Sequence, residues 1–204
     1  MSLISSTHSL SRYTIEGQFD GSTMEGVREG LIQNAIPKIE SEYDEIIAGW
    51  TPIESPYNPD FEGFSFLFGT YFVFSLRIDK KSIPAKLVHK QMAIEIEKKK
   101  KDTGRDMISK NEKSEIKEMV MDILMHKIPS IPNLYDVLWD YENKQLFLFS
   151  TQKAANELFE TLFFKSFNHK PIRIFPYTLV EKLGRFSADQ KDRILALSPL
   201  TFKQ

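Results

Sequence analysis

The chain has 204 residues, of which 41% are hydrophobic and 27% are charged, and its formal net charge is −1. This length and composition allow a substantial hydrophobic core and exclude an intrinsically disordered protein. The absence of cysteine excludes disulfides, a thiol nucleophile and a thiolate metal site. The first ten residues lack the basic and apolar segments of a signal peptide, and no apolar stretch is long enough to cross a membrane, so we expect a cytoplasmic protein.

The first third of the chain predicts several strands and one helix. Aromatic and β-branched residues favour a strand over Leu10–Phe19, and Ser22 precedes a glutamate by three positions, the spacing of a capping box that begins a helix. A short strand is expected over Ile46–Ile53. Apolar residues of one parity between Phe64 and Ile78 then predict a strand pair that turns at Gly69.

Two helices are predicted in the middle of the chain. Pro84 suits the first turn of a helix that runs to about Lys101, and residues 102–108 interrupt it. Ser109 stands at a second capping box, and apolar residues from Ile116 to Leu124 follow at helical spacing. This second helix carries several methionines, which we expect to lie in the core and not on a partner-binding surface.

The last third predicts two strands over Tyr135–Tyr141 and Gln145–Phe149, followed by a helix with apolar residues on one side. Pro171–Pro176 is expected to form a short final strand. A capping box at Ser187 predicts one more helix near the end of the chain.

This order of elements predicts an α+β fold with two antiparallel-sheet and helix halves, βαββα followed by αββαβ. The first half would span residues 1–82, and the second half with its tail helix would span residues 134–204. The two charged helices between them, within residues 83–133, would form a projecting helical arm.

Charge is distributed unevenly along the chain. Residues 1–76 carry 3 Lys and Arg against 11 Asp and Glu, whereas residues 77–128 carry 14 against 9. A basic segment of this kind can neutralise the phosphates of a polyanion, although a solvated helix end has the same composition.

A metal-dependent nuclease is one alternative, because Pro59–Asp60 and Glu142–Lys144 match a short nuclease pattern and Asp136, Asp140 and Glu142 alternate along one strand. Glu142–Lys144, however, is predicted to be the hairpin turn itself, where the side chains would be splayed and solvated. We therefore expect no catalytic residues and no metal site.

Other chemistry is not indicated by the sequence. No glycine-rich phosphate-binding motif is present, so no cofactor is expected. The four histidines are isolated from one another and lack the spacing of a helical metal site.

Several segments, in order, resemble the RdgC family of bacterial recombination-associated proteins over about residues 8–180. The matching segments are Leu10–Arg12, Gly49–Pro52, Arg77–Lys81, Ile83–Pro84, Lys90–Gln91, Glu112–Glu118, Trp139–Asp140 and Lys153–Glu157. The resemblance implies a non-enzymatic protein that binds DNA without sequence preference and restrains a RecA-type recombinase by occupying the DNA. It also implies a nucleoid-associated homodimer. An exonuclease label attached to the family is not supported by the residues here.

The expected DNA contacts are basic residues in and beside the helical arm, where the family's basic surface would lie. They are Lys80, Lys81, Lys86, Lys90, Lys98, Lys99, Lys100, Lys101, Arg105, Lys110, Lys113 and Lys117. No element resembles a base-reading recognition helix, so binding should tolerate any sequence and depend on salt.

The expected dimer contact is an apolar tip on a proline-bounded turn at the end of the arm. It comprises Lys127, Ile128, Pro129 and Ile131. Typical family members continue beyond the last matched strand, so we expect a short form, for which a closed ring, an open dimer and a monomer all remain open.

A second hypothesis is a protein-interaction module without DNA binding. In that case the acidic N-terminal third would engage a basic partner, and the lysine run at Lys98–Lys101 would be only a solvated face.

Overall fold

A computed structural model of the chain describes residues 3, 7–37, 44–61, 63 and 65–197. Within these residues, seven strands form one sheet and six helices accompany it. The strands are β1 (Ser11–Glu16), β2 (Ile46–Thr51), β3 (Leu67–Phe68), β4 (Tyr71–Lys80), β5 (Ile131–Asp140), β6 (Gln145–Leu148) and β7 (Lys170–Arg173). The helices are α1 (Thr23–Gln33), α2 (Ala85–Thr103), α3 (Lys110–Lys127), α4 (Lys153–Phe167), α5 (Pro176–Leu183) and α6 (Ala188–Leu195).

The strands are ordered β2-β4-β5-β6-β1-β7, and the short β3 pairs with β4. β1 lies between two strands from the far end of the chain, with Tyr13 opposite Leu146 of β6 and opposite Arg173 of β7. The α+β class is confirmed. The strands of the two expected halves belong to a single sheet, because β1 pairs with strands that follow it by more than a hundred residues.

The predicted hairpin at Gly69 is confirmed, although Phe64 lies outside the described residues. β3 and β4 pair antiparallel with Leu67 opposite Phe72. Gly69 connects them at a φ of 63°, a left-handed conformation that glycine adopts without steric cost. The alternating pattern predicted that the even-numbered side chains of this strand would be buried. The odd-numbered Val73 and Ser75 of β4 are buried as well. Both faces of this strand are therefore covered.

Three serines begin helices where the capping boxes predict them. Ser22 and Ser187 are the N-caps of α1 and α6, and Ser109 is the N-cap of α3. Each serine hydroxyl accepts a hydrogen bond from the backbone amide three residues later, which satisfies a donor that the helix itself leaves free.

The chain departs from the prediction near its end. The strand expected over Pro171–Pro176 stops at Arg173, and Pro176 is the first residue of α5. β7 ends the strand order, and the Ile174 amide donates to the Arg12 carbonyl at 2.8 Å. Because hydrogen-bonded positions alternate along an antiparallel pair, the backbone of Pro171 faces away from β1.

The described residues fall into two compact units. The first lies within Met1–Ala35, Trp50–Leu76 and Leu134–Gln204, and the second within Ile36–Gly49 and Arg77–Asn133. The second unit contains α2 and α3. Within it, the Lys81 amide, which follows β4, donates a hydrogen bond to the carbonyl of Glu45, which precedes β2. No helix in the described part of the chain is long and apolar enough to cross a membrane.

Aromatic side chains dominate the core of the first unit. Trp50, Trp139, Phe159 and Phe163 are completely buried, and the Trp139 and Phe163 ring centroids lie 4.9 Å apart in an edge-to-face arrangement. The Trp50 indole donates a hydrogen bond to the Ser166 hydroxyl at 2.7 Å, which ties β2 to α4. Rings of this size supply much of the burial that stabilises the sheet.

Candidate nucleic-acid interface

The helices α2 and α3 pack against each other within the second unit and are referred to as the helix pair. Their buried contact consists of Val88 on α2 and of Ile116, Val120 and Leu124 on α3. The three α3 residues follow at intervals of four, which places them on one side of that helix. The helix pair therefore has its own small apolar core.

The joint between the two helices is defined by backbone geometry and a reciprocal cap. Gly104 ends α2 in the left-handed conformation, with a φ of 66°. Ser109 then begins α3: its hydroxyl accepts from the Glu112 amide at 3.2 Å, and the Glu112 carboxylate accepts from the Ser109 amide at 2.9 Å. The predicted break and capping box are both confirmed.

Glu112 also neutralises two of the predicted DNA-contacting residues. Its Oε1 atom lies 3.6 Å from Lys99 Nζ and 3.7 Å from Arg105 Nη1. The pKa of Glu112 is lowered from its usual value, mainly by the hydrogen bonds with Ser109 and further by the two cations. Lys99 and Arg105 thus already have an anionic partner within the joint.

A groove of about 440 Å³ runs between α2 and α3 on one side of the helix pair. Its lining residues are Glu95, Lys98, Lys99, Asp102, Glu115, Ile116 and Met119. Three of the seven are carboxylates, and they surround the two lysines from the predicted DNA-binding set. A phosphate approaching this side would meet negative charge as well as positive charge.

The side of the helix pair opposite the groove carries several lysines that form no ion pair among the described residues. Successive residues of an α-helix are rotated by about 100° around its axis. Lys113 and Lys117 are each two positions from the groove residue Glu115, so both lie about 200° from it around α3. Lys110 shares their side of α3, and Lys100 is related to Lys98 in the same way on α2. Among the described residues, no carboxylate forms an ion pair with these four lysines. We call Lys100, Lys110, Lys113 and Lys117 the basic face.

The other predicted DNA contacts are scattered. Lys80 is exposed at the end of β4, whereas Lys81 is only 5% exposed and is poorly placed to reach a phosphate. Lys86, Lys90 and Lys101 are exposed on α2. The rotation of the two helices thus places four of the twelve predicted residues on the side of the helix pair opposite the groove.

The predicted dimer tip is only partly available. Ile128 packs against the core of the helix pair, while Ile131 is 56% exposed at the start of β5. Lys127 and Pro129 are exposed. An apolar contact at this tip would therefore rest mainly on Ile131.

Two carboxylates of the nuclease pattern, Asp136 and Asp140, accept hydrogen bonds within the fold. Asp140 accepts two hydrogen bonds from Asn143, at 3.0 and 2.8 Å, and so stabilises the β5–β6 turn. Asp136 is buried and accepts from the Ser75 hydroxyl at 2.8 Å. No group of three or more acidic, histidine or cysteine side chains in the described ranges is arranged to hold a metal ion.

Comparison with known proteins agrees with the resemblance seen in the sequence. A search of the curated proteins found no match. The model of one family, described as "Putative exonuclease, RdgC", matches residues 8–182, which include the whole helix pair and all seven strands. The chain therefore belongs to the RdgC family, which is linked to recombination.

Proposed function

We propose that this protein binds DNA through the basic face, by contacts with the phosphate backbone and without sequence preference. The observation that supports this proposal is the separation of charge on the helix pair. Four lysines share one side and form no ion pair among the described residues, whereas three carboxylates line the groove and Glu112 lies at the joint. Each lysine that neutralises a phosphate releases a condensed counterion from the DNA, and a lysine without an internal ion pair can do so without breaking one.

The spacing of the basic face suits a phosphate backbone. Lys110 and Lys117 are seven residues apart on α3, a rise of about 10.5 Å along the helix. One DNA strand carries a phosphate about every 3.4 Å along its axis, so this stripe spans about three phosphates. Lysine is a point charge that does not distinguish base edges as paired arginine or asparagine contacts do.

In this proposal the protein acts on recombination without catalysing a reaction. A protein that occupies DNA non-specifically excludes other proteins from the same phosphates, so a RecA-type recombinase would have less access. We propose homodimerisation through the exposed part of the tip, with Ile131 as its main apolar residue. Association with the nucleoid would follow from the DNA affinity.

The proposal is tested by measuring affinity for a random-sequence DNA duplex over a series of salt concentrations. For the unmodified protein we expect log K to fall linearly with log salt concentration. In the triple variant Lys110→Gln, Lys113→Gln, Lys117→Gln the magnitude of the slope should fall by about 2.7, the value for three phosphates.

The matched control removes three exposed lysines elsewhere, with Lys144→Gln, Lys153→Gln and Lys165→Gln. It changes the net charge equally, so a general effect of charge would lower the slope as much as the first variant does. Equal slopes for the two triple variants, or no DNA binding by the unmodified protein at low salt, would contradict the proposal.

A further inference from the structure

The groove side of the helix pair combines exposed aliphatic side chains with carboxylates. Met119 lines the groove and is 44% exposed, and Ile123 follows it by one helical turn with 37% exposure. On α2, Ile94 is 47% exposed and adjoins the groove residue Glu95. Met121, in contrast, packs against the core, so the methionines of α3 divide between core and surface.

The charge of this groove is negative once internal ion pairs are counted. Lys99 is held by Glu112, at 3.6 Å. The remaining charged residues of the lining are Glu95, Asp102 and Glu115 against Lys98. An apolar floor between two helices with carboxylates on its rim fits an amphipathic helix whose apolar side is flanked by lysine or arginine.

We infer that this groove is a docking site for a basic amphipathic helix of a protein partner. The aliphatic side chains of that helix would cover Met119 and Ile123, and its cations would lie beside Glu95 and Glu115. Such a site differs from the basic face in both position and charge, and the inference does not depend on DNA binding. It would allow the helix pair to contact DNA on one side and a protein on the other.

The experiment uses the full chain and a fluorescein-labelled 18-residue peptide of leucine and lysine, with leucines at the spacing of one helix face. Binding is followed by fluorescence anisotropy. We expect saturable binding with one peptide per chain, and at least tenfold weaker binding to each of two double variants. The first, Glu95→Gln with Glu115→Gln, removes rim charge, and the second, Met119→Ser with Ile123→Ser, removes apolar contact.

Two controls separate docking from general attraction. The double variant Glu97→Gln with Glu118→Gln removes the same charge from exposed residues that do not line the groove, and its affinity should change less than twofold. A scrambled peptide of the same composition cannot present an apolar side and should bind at least tenfold more weakly than the patterned one.

Three results would overturn the inference. They are the absence of saturable peptide binding, equal losses in groove and control variants, and self-association of the chain that is abolished by Met119→Ser with Ile123→Ser. The last result would make a second copy the occupant of the groove. The groove variants should leave the salt slope of DNA binding unchanged, so failure here and failure of the DNA proposal can be told apart.

Discussion

The Glu112 carboxylate lies 3.6 Å from the Lys99 ammonium and accepts a hydrogen bond from the Ser109 amide. One side chain thus begins α3 and also ties it to the end of α2. This arrangement gives a lysine and an arginine of the lysine-rich joint an internal anionic partner. The basic residues of the joint therefore help to hold α2 and α3 together. We expect the phosphates of DNA to be contacted by the basic face instead.

The joint should make stability depend on pH. The pKa of Glu112 is lowered in the folded protein from its usual value of 4.5, so folding favours the ionised form. Its contribution is therefore present above pH 4.5 and is lost as the pH falls through the lower, folded pKa. We expect Glu112→Gln to melt at a lower temperature than the unmodified protein at pH 7, and the difference to shrink below pH 4.5.

The matched control for this measurement is Glu118→Gln, an exposed glutamate on the same helix. Its melting temperature should follow that of the unmodified protein across the pH range. A constant difference for Glu112→Gln between pH 7 and pH 3 would mean that the charge of Glu112 contributes nothing.

Two lysines of α2 that are separated by one residue should differ in their contribution to DNA binding. Lys100 belongs to the basic face, whereas Lys98 lines the groove beside carboxylates. We expect Lys100→Gln to reduce the magnitude of the salt slope by about 1, the effect of one lost phosphate contact, and Lys98→Gln to leave it nearly unchanged. A greater effect of Lys98→Gln would place the DNA on the groove side instead.

The distinction between Lys98 and Lys100 could not be drawn from composition alone. In the sequence, Lys98–Lys101 is a single block of charge, but a helix rotates consecutive residues by about 100° and distributes the block around its axis. Which side meets carboxylates depends on where α3 packs. That packing is set by Val88 and Ile116, which lie on separate helices and meet only in the folded chain.

Local signals, in contrast, were sufficient for much of the fold. The capping boxes at Ser22, Ser109 and Ser187 depend on residues three positions apart, and all three helices begin there. The single sheet was not predictable in this way because its central pairings, such as Ser11 with Leu148, join distant parts of the chain. The start of α5 had a local signal, Pro176 in the first helical turn, which the strand interpretation of Pro171–Pro176 obscured.

The aromatic core should respond sharply to truncation. Phe159 is completely buried, and its ring centroid lies 5.2 Å from that of Tyr13 and 5.3 Å from that of Phe163. We expect Phe159→Ala to lower the free energy of unfolding by about 3–5 kcal/mol, because it removes apolar burial and leaves a cavity. Urea unfolding followed by tryptophan fluorescence measures this change.

Phe164 offers a control on the same helix, since its side chain is 54% exposed. Phe164→Ala should change the free energy of unfolding by no more than about 0.5 kcal/mol. Similar losses for the two variants would indicate that Phe164 is covered in solution by a contact that a single chain does not provide.

A direct assay addresses the nuclease alternative. Asp140 is engaged with Asn143 in the β5–β6 turn, so we expect the protein to leave single- and double-stranded DNA uncut with Mg²⁺ or Mn²⁺. Cutting that required a divalent metal and was abolished by Asp140→Asn would contradict this expectation. A variant that loses cutting must also be checked for folding, because Asp140→Asn alters the turn.

Pro171 gives the outer strand of the sheet a further property. Its backbone faces away from β1, at a position where any other residue would present an amide donor to solvent. A row of such donors would let the strand of a second molecule add to the sheet. If the protein crowds along DNA as proposed, many copies of the same strand would come close together, and a proline at this position would remove one amide donor from the edge at which two such strands could pair.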